Sequence, residues 1–133
     1  MIKGILFDKD GTLLKFDELW NEATKMVMPK FLHKIGIDAD EENVSMAVKS
    51  VGNSIAAMTY RDMTKAVIEF FEIEADDKML SLYSKQLEEL YFEEVTKSTA
   101  NILPTADLDK LFKWLSDRKL IVGLATADTK QTA

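Results

Sequence analysis

Apolar residues follow two different periods along this chain. A short continuous apolar run lies near each end, at residues 5–7 and 120–125. Such runs are typical of strands that are buried on both faces of a parallel sheet. Between them, from Asp17 to about Val95, apolar residues recur at helical spacing, which predicts amphipathic helices that pack on one another.

The order of these elements indicates an α/β fold. A strand is followed by a helical block, then by one more helix over about residues 105–115, and then by the second strand. A helix that leads into a strand parallel to the first gives an α/β sheet with a right-handed crossover. We therefore expect a sheet core at residues 1–15 and 100–133, interrupted by a helical insertion at residues 16–99.

Several residues are expected to set the helix boundaries. Asp17 is a candidate N-cap of the first helix and Gly36 a candidate stop. Pro29 lies inside that helix and should kink or divide it. Asp40 is expected to begin the second helix, and Thr105 is expected to cap the helix before the second strand.

The candidate chemistry lies where the first strand ends. Asp8 and Asp10 follow the apolar run, and Gly11 allows a sharp turn behind them. Open α/β sheets bind ligands at the carboxyl ends of their strands, and a carboxylate held there is a usable nucleophile. A second carboxylate beside it either shares a proton, as a general acid/base, or binds a hard cation such as Mg²⁺ with the first. A simple turn is the alternative for Asp-x-Asp-Gly in isolation.

The segment DKDGTLL, after its apolar strand, resembles the first signature motif of the haloacid dehalogenase superfamily, DxDx[TV]. The second strand ends in Thr126-Ala127. In isolation, a threonine at this place indicates only that the strand ends there. Together with the first motif it resembles the superfamily's second motif, an apolar strand that ends in Ser or Thr. The stretch ILPTADLDKLFKWLSDRKLIVGLATAD is also similar to phosphoglycolate-phosphatase-like members, which insert a helical cap at the same place.

This resemblance implies a partial Rossmann-like core with an all-helical cap, and it implies roles for individual residues. Asp8 would be the nucleophile and Asp10 the acid that protonates the leaving group and later activates water. The Asp8 carboxylate and the Asp10 backbone carbonyl would bind Mg²⁺, with Gly11 and Thr12 supporting the turn. The phosphoryl oxygens would be held by the Thr126 hydroxyl and by backbone amides, namely those of Lys9, Asp10 and Ala127.

The implied activity is Mg²⁺-dependent hydrolysis of a small, phosphoglycolate-like phosphomonoester through an aspartyl-phosphate. A phosphomutase with the same nucleophile and a non-catalytic association module are the alternatives. Gly52, Asn53 and Ser54 lie where capped members carry a loop that selects the substrate, although a plain turn between helices explains them as well. The superfamily's third motif, a Lys or Arg, and its fourth, an acidic pair, have no counterpart before Ala133. We therefore expect a catalytically incomplete chain whose core is able to self-associate.

Composition narrows the remaining choices. The chain has 133 residues, 17 Lys and Arg against 23 Asp and Glu, and a net charge of -6. No basic run favours nucleic acid as a partner, and no apolar run is long enough to cross a membrane. Cysteine is absent, which excludes disulfides and thiol catalysis. A small phosphorylated metabolite is the expected partner, and the cytoplasm is the default location.

Overall fold

A computed structural model describes residues 1–15, 17–97 and 103–127, without the side chains of residues 17, 18, 53, 54 and 56. The elements in chain order are β1 (Gly4–Asp8), α1 (Asp17–Lys34), α2 (Glu41–Val51), a 3-10 helix (Gly52–Ala57), α3 (Tyr60–Phe70), α4 (Asp77–Lys97), α5 (Leu108–Asp117) and β2 (Ile121–Ala125). The α/β class that the sequence predicts is confirmed, and the two strands lie within two residues of the predicted apolar runs.

The two strands form a parallel pair. Gly4 is in register with Ile121 and Asp8 with Ala125, so both strands end at the same edge. One face of the pair is partly covered by α5, where the rings of Phe7 and Phe112 meet edge to face at 6.1 Å, while Val122 and Leu124 on that face stay 42% and 46% exposed. On the described part of the other face, Leu6 remains 70% exposed and Ile121 74% exposed.

Most of the buried apolar residues belong to one cluster in the helical block. Its members come from α1 to α4, run from Leu19 to Val95, and include the fully buried Phe31 and Tyr91. Each of these helices has a buried side, as the helical spacing of apolar residues predicts. The proposed boundary between core and cap stays a prediction. No helix among the described residues is both long and apolar enough to span a membrane.

Most predicted helix boundaries agree with the structure, and the predicted cap of α5 is wrong. The Asp40 carboxylate accepts a hydrogen bond from the Asn43 amide at 2.7 Å and caps α2 as expected. Helix α1, however, runs through Pro29 without division. Val27, Met28, Phe31 and Leu32 around the proline are completely buried, and this packing outweighs the lost hydrogen bond. Asp107, not Thr105, caps α5 by accepting from the Lys110 amide.

Candidate active site

The parallel register brings the two predicted motifs to one edge of the sheet. Asp8 is the last residue of β1 and lies opposite Ala125, the last residue of β2. Thr126 and Ala127 therefore continue the chain just beyond the residue that pairs with Asp8. The structure describes Thr126 as half-buried and Ala127 as exposed. The carboxyl edge of a parallel sheet is where such folds bind ligands, which supports a site between these segments.

A tight turn follows β1 and is organised by one carbonyl. The Lys9 oxygen accepts from the amides of Thr12, Leu13 and Leu14 at 3.3, 2.9 and 3.1 Å. The Gly11 amide donates to the Leu14 oxygen at 2.8 Å, and Gly11 has a φ of +80°. An L residue is strained in this left-handed region, so the turn explains the glycine after the second aspartate.

Thr105 fastens this turn to the segment before α5. Its amide donates to the Leu13 oxygen at 3.0 Å, and its hydroxyl donates to the carbonyls of Thr12 and Leu13. The Lys15 amide also donates to the Leu103 oxygen at 2.8 Å. These bonds give the physical reason why Thr105 is not the cap of α5: its backbone and side chain are both committed to the turn.

The Asp8 carboxylate is presented to solvent. The residue is exposed, and the Thr12 hydroxyl donates to its Oδ2 at 3.1 Å. The predicted supporting position of Thr12 thus has a contact that would orient Asp8. An exposed, oriented carboxylate at a strand end is able to approach an electrophilic phosphorus.

Asp10 lies in a different environment, since its side chain is only 12% exposed. The indole Nε1 of Trp20, on α1, donates to Asp10 Oδ1 at 3.3 Å. The Lys9 ammonium lies 3.7 Å from Oδ2, and the Lys9 side chain is 6% exposed. The contact with Trp20 could not be predicted from local patterns, because Trp20 falls at helical spacing and matches an ordinary core residue.

Beneath Trp20 lies a buried pair of hydroxyls. The Thr24 hydroxyl lies 2.8 Å from the Tyr91 hydroxyl and also donates to the Trp20 carbonyl at 2.7 Å. Because Thr24 has one hydroxyl proton, Tyr91 is the donor within the pair. Burial raises the pKa of Tyr91 above its ordinary value of 10.0.

The oxygen atoms at this edge suit a hard cation. The exposed Asp8 carboxylate is a typical Mg²⁺ ligand. The hydrogen bonds that close the turn use the backbone groups of Lys9, Gly11 and Leu14, which fixes the position of Asp10 beside Asp8. Across residues 1–15, 17–97 and 103–127, no three acidic, His or Cys side chains group as a metal site. The residues present therefore fit part of a Mg²⁺ coordination shell.

The predicted specificity loop takes a defined backbone form. Gly52 to Ala57 make a 3-10 helix between α2 and α3, and Gly52 is exposed with a φ of +57°. The side chains of Asn53 and Ser54 lie outside the described residues. The roles of Gly52, Asn53 and Ser54 in substrate selection therefore stay predictions.

Comparison with known proteins agrees with this architecture. A solved hydrolase from Pseudomonas syringae has a similar fold, with a TM-score of 0.65 and 18% sequence identity. The match covers 98% of this chain and 52% of that one, so this chain spans about half the length of its structural relative. No curated protein matches the sequence. A family model described as haloacid dehalogenase-like hydrolase matches residues 2–133. Because that match extends over nearly the whole sequence, the chain belongs to the haloacid dehalogenase-like hydrolases.

Proposed function

We propose that this protein hydrolyses a small phosphomonoester through a covalent phosphoryl intermediate on Asp8. One observation supports the proposal most strongly. Asp8 is exposed at the end of β1, while Asp10, two residues on, is largely buried and held by other side chains. Two carboxylates in such different environments suit two different roles, one as nucleophile and one in proton transfer.

The first step is an in-line displacement at phosphorus. An Asp8 oxygen forms a bond to phosphorus while the bond from phosphorus to the ester oxygen breaks. Asp10, which takes up a proton when the substrate binds, gives that proton to the departing oxygen, which leaves as an alcohol. Thr126 and the amides of Lys9, Asp10 and Ala127 are the groups we assign to the phosphoryl oxygens.

The second step returns Asp8 to its free form. Asp10, now a carboxylate, takes a proton from water, and that water attacks the phosphorus of the aspartyl-phosphate. Inorganic phosphate leaves and Asp10 is protonated again. Bound at the Asp8 carboxylate and the Asp10 carbonyl, Mg²⁺ would offset negative charge on the transferring group. A helical cap that closes over this edge would limit competing access of water during the first step.

A phosphoglycolate-like ester is the substrate class that we propose. The test measures phosphate release from phosphoglycolate and from p-nitrophenyl phosphate, with Mg²⁺, by a form of the protein that includes the third and fourth motifs and by its Asp8→Asn variant. This variant keeps the size of the side chain and removes its nucleophilic charge, so turnover should fall to background. Asp38→Asn, an exposed aspartate in the helical block, makes the same charge change and should leave turnover intact. Equal turnover in Asp8→Asn and the wild type would refute the proposal.

A second candidate function is association without catalysis. It is favoured by the exposed apolar side chains of Leu6 and Ile121 on the open face of the strand pair. Exposed apolar patches and free strand edges recruit other chains. A chain that binds a second copy but releases no phosphate would support this candidate. Transfer of the phosphoryl group to a sugar phosphate, without phosphate release, would identify a phosphomutase instead.

A further inference from the structure

Asp10 is held by a different residue at each of its two carboxylate oxygens. Trp20 donates its indole N–H to Oδ1 at 3.3 Å, and the Lys9 ammonium lies 3.7 Å from Oδ2. We propose that Lys9 and Trp20, which we call the Asp10 clamp, are positioning residues that fix the carboxylate for its proton transfers. This inference rests on the role that the proposed function gives to Asp10.

The Trp20 half of the clamp is rigid because the indole is packed from several directions. Trp20 is 7% exposed, and its ring lies 5.6 Å from the ring of Tyr91. Tyr91 is completely buried and also packs against Tyr60, with ring centres 5.5 Å apart. The indole N–H therefore has little freedom to leave Asp10. Through it, the helical block sets the orientation of a side chain that belongs to the turn after β1.

The Lys9 half places a charge where a core would ordinarily hold an apolar side chain. Lys9 is only 5% exposed, and its ammonium lies 5.9 Å from the centre of the Trp20 ring. Burying an ammonium is costly unless it is paired, so the nearby Asp10 carboxylate explains why a lysine is tolerated here. The aromatic face adds a cation–π contribution. Lys9 and Trp20 thus support each other as well as Asp10.

Asp8 provides the contrast within the same turn. It is exposed, and its carboxylate contacts the exposed hydroxyl of Thr12. A nucleophile must reach toward the substrate, whereas a proton-transfer group must keep one geometry through two steps. Small displacements of a catalytic group from this geometry lower the rate of the reaction strongly. The clamp supplies that geometry to Asp10 and leaves Asp8 accessible.

Two conservative variants remove one half of the clamp each. Trp20→Phe keeps an aromatic ring against Tyr91 but deletes the N–H, and Lys9→Met keeps the aliphatic length but deletes the charge. We expect kcat to fall about tenfold in each variant. A positioned acid or base raises the rate by about 10²–10⁴, and the loss of positioning should remove part of that enhancement. KM should change by less than about twofold because neither group contacts the substrate. Trp114→Phe is the matched control, since Trp114 is half exposed on α5.

A nuclear magnetic resonance measurement tests the contact without substrate. The protein has two tryptophans, so the indole N–H region holds two signals. We expect the Trp20 signal to move upfield in Asp10→Asn, because the charge-assisted acceptor is lost. The Trp114 signal should stay in place. Urea unfolding of each variant shows that a loss of kcat is not a loss of folded protein.

The outcomes separate the two proposals. An immobile Trp20 signal in Asp10→Asn, or wild-type kcat in Trp20→Phe and Lys9→Met while Asp10→Asn is impaired, overturns the clamp and leaves the proposed function standing. If a form of the protein that includes the third and fourth motifs releases no phosphate, the proposed function is overturned, and the positioning role falls with it. A moved signal together with a selective loss of kcat supports both.

Discussion

The hydroxyl pair of Thr24 and Tyr91 offers a quantitative test of the packing behind the active site. Both residues are buried, and their oxygens lie 2.8 Å apart. Thr24 already donates to the Trp20 carbonyl, which makes Tyr91 the donor to Thr24. This hydrogen-bond direction predicts that removing the Tyr91 hydroxyl and removing the Thr24 hydroxyl lower the free energy of unfolding by different amounts.

Tyr91→Phe removes the donor and leaves no hydroxyl proton without an acceptor. We expect it to lower the free energy of unfolding by about 1 kcal/mol, the usual net value of one hydrogen bond. Thr24→Val removes the acceptor and leaves the Tyr91 O–H buried and unpaired. That desolvated donor should cost about 2 kcal/mol. In the double variant neither hydroxyl remains, so the loss of unfolding free energy should be about 1 kcal/mol, well below the sum of the losses in the two single variants.

Urea unfolding, followed by far-ultraviolet circular dichroism, measures these differences from the shift in midpoint at constant slope. Tyr83→Phe is a matched control on the same helix, α4. Tyr83 is half-buried, and its hydroxyl makes no hydrogen bond within the described part of the chain; we expect a change below about 0.5 kcal/mol. The assigned hydrogen-bond direction would be refuted if the double variant lost as much unfolding free energy as the two single variants together. It would also be refuted if Tyr91→Phe lost more unfolding free energy than Thr24→Val.

Three further predictions follow from the structure. Burial raises the pKa of Tyr91 above 10.0, so as the pH rises the unfolded chain loses the phenol proton before the folded chain does. The free energy of unfolding should therefore fall as the pH rises above 10. In a pH series of urea unfolding midpoints, this fall should be shallower for Tyr91→Phe than for the wild type. Gly11→Ala should cost about 1 to 2 kcal/mol in urea unfolding: its φ is +80°, and an added Cβ meets no atom within 4 Å, so the cost is conformational alone. The wild-type chain should associate with rising concentration in sedimentation velocity; Leu6→Ser should weaken this and Leu82→Ser, on an exposed part of α4, should not.

The sequence predicts the strands and the general position of the site for a physical reason. A buried parallel strand needs a continuous apolar run, and the ends of the two runs mark Asp8 and the residues before Thr126. Once both strands are parallel, their carboxyl ends have to meet at one edge. The register of Asp8 with Ala125 confirms this relation. The catalytic and phosphate-binding roles of these residues stay predictions.

The clamp around Asp10 could not be predicted from local patterns. Lys9 lies between two aspartates, where a charged residue suggests a solvated turn, yet it is buried. Trp20 lies at core spacing in α1, and only the tertiary fold aims its N–H at Asp10. Thr105 shows the same limit, since Thr is a good N-cap but long-range hydrogen bonds to the turn compete for it.

One helical face differs from what its spacing predicts. Helical spacing of the apolar residues before Glu72 predicts that Phe70 and Phe71, at the end of α3, both face inward. Their rings meet edge to face at 5.2 Å, with Phe70 49% exposed and Phe71 half-buried. Adjacent helical positions point about 100° apart, so only one of two neighbouring aromatic residues can enter a narrow interface.

The most direct test of the account is whether a phosphoryl group is carried by Asp8. A form of the protein that includes the third and fourth motifs is mixed with a phosphomonoester and Mg²⁺, quenched in acid and treated with borohydride, which reduces an acyl phosphate to the alcohol. Peptide mass spectrometry then locates the reduced residue. We predict homoserine at position 8, absent in Asp8→Asn and present in Trp20→Phe. A reduced residue at any other position, or none in a chain that releases phosphate, would contradict the central claim that Asp8 is the nucleophile.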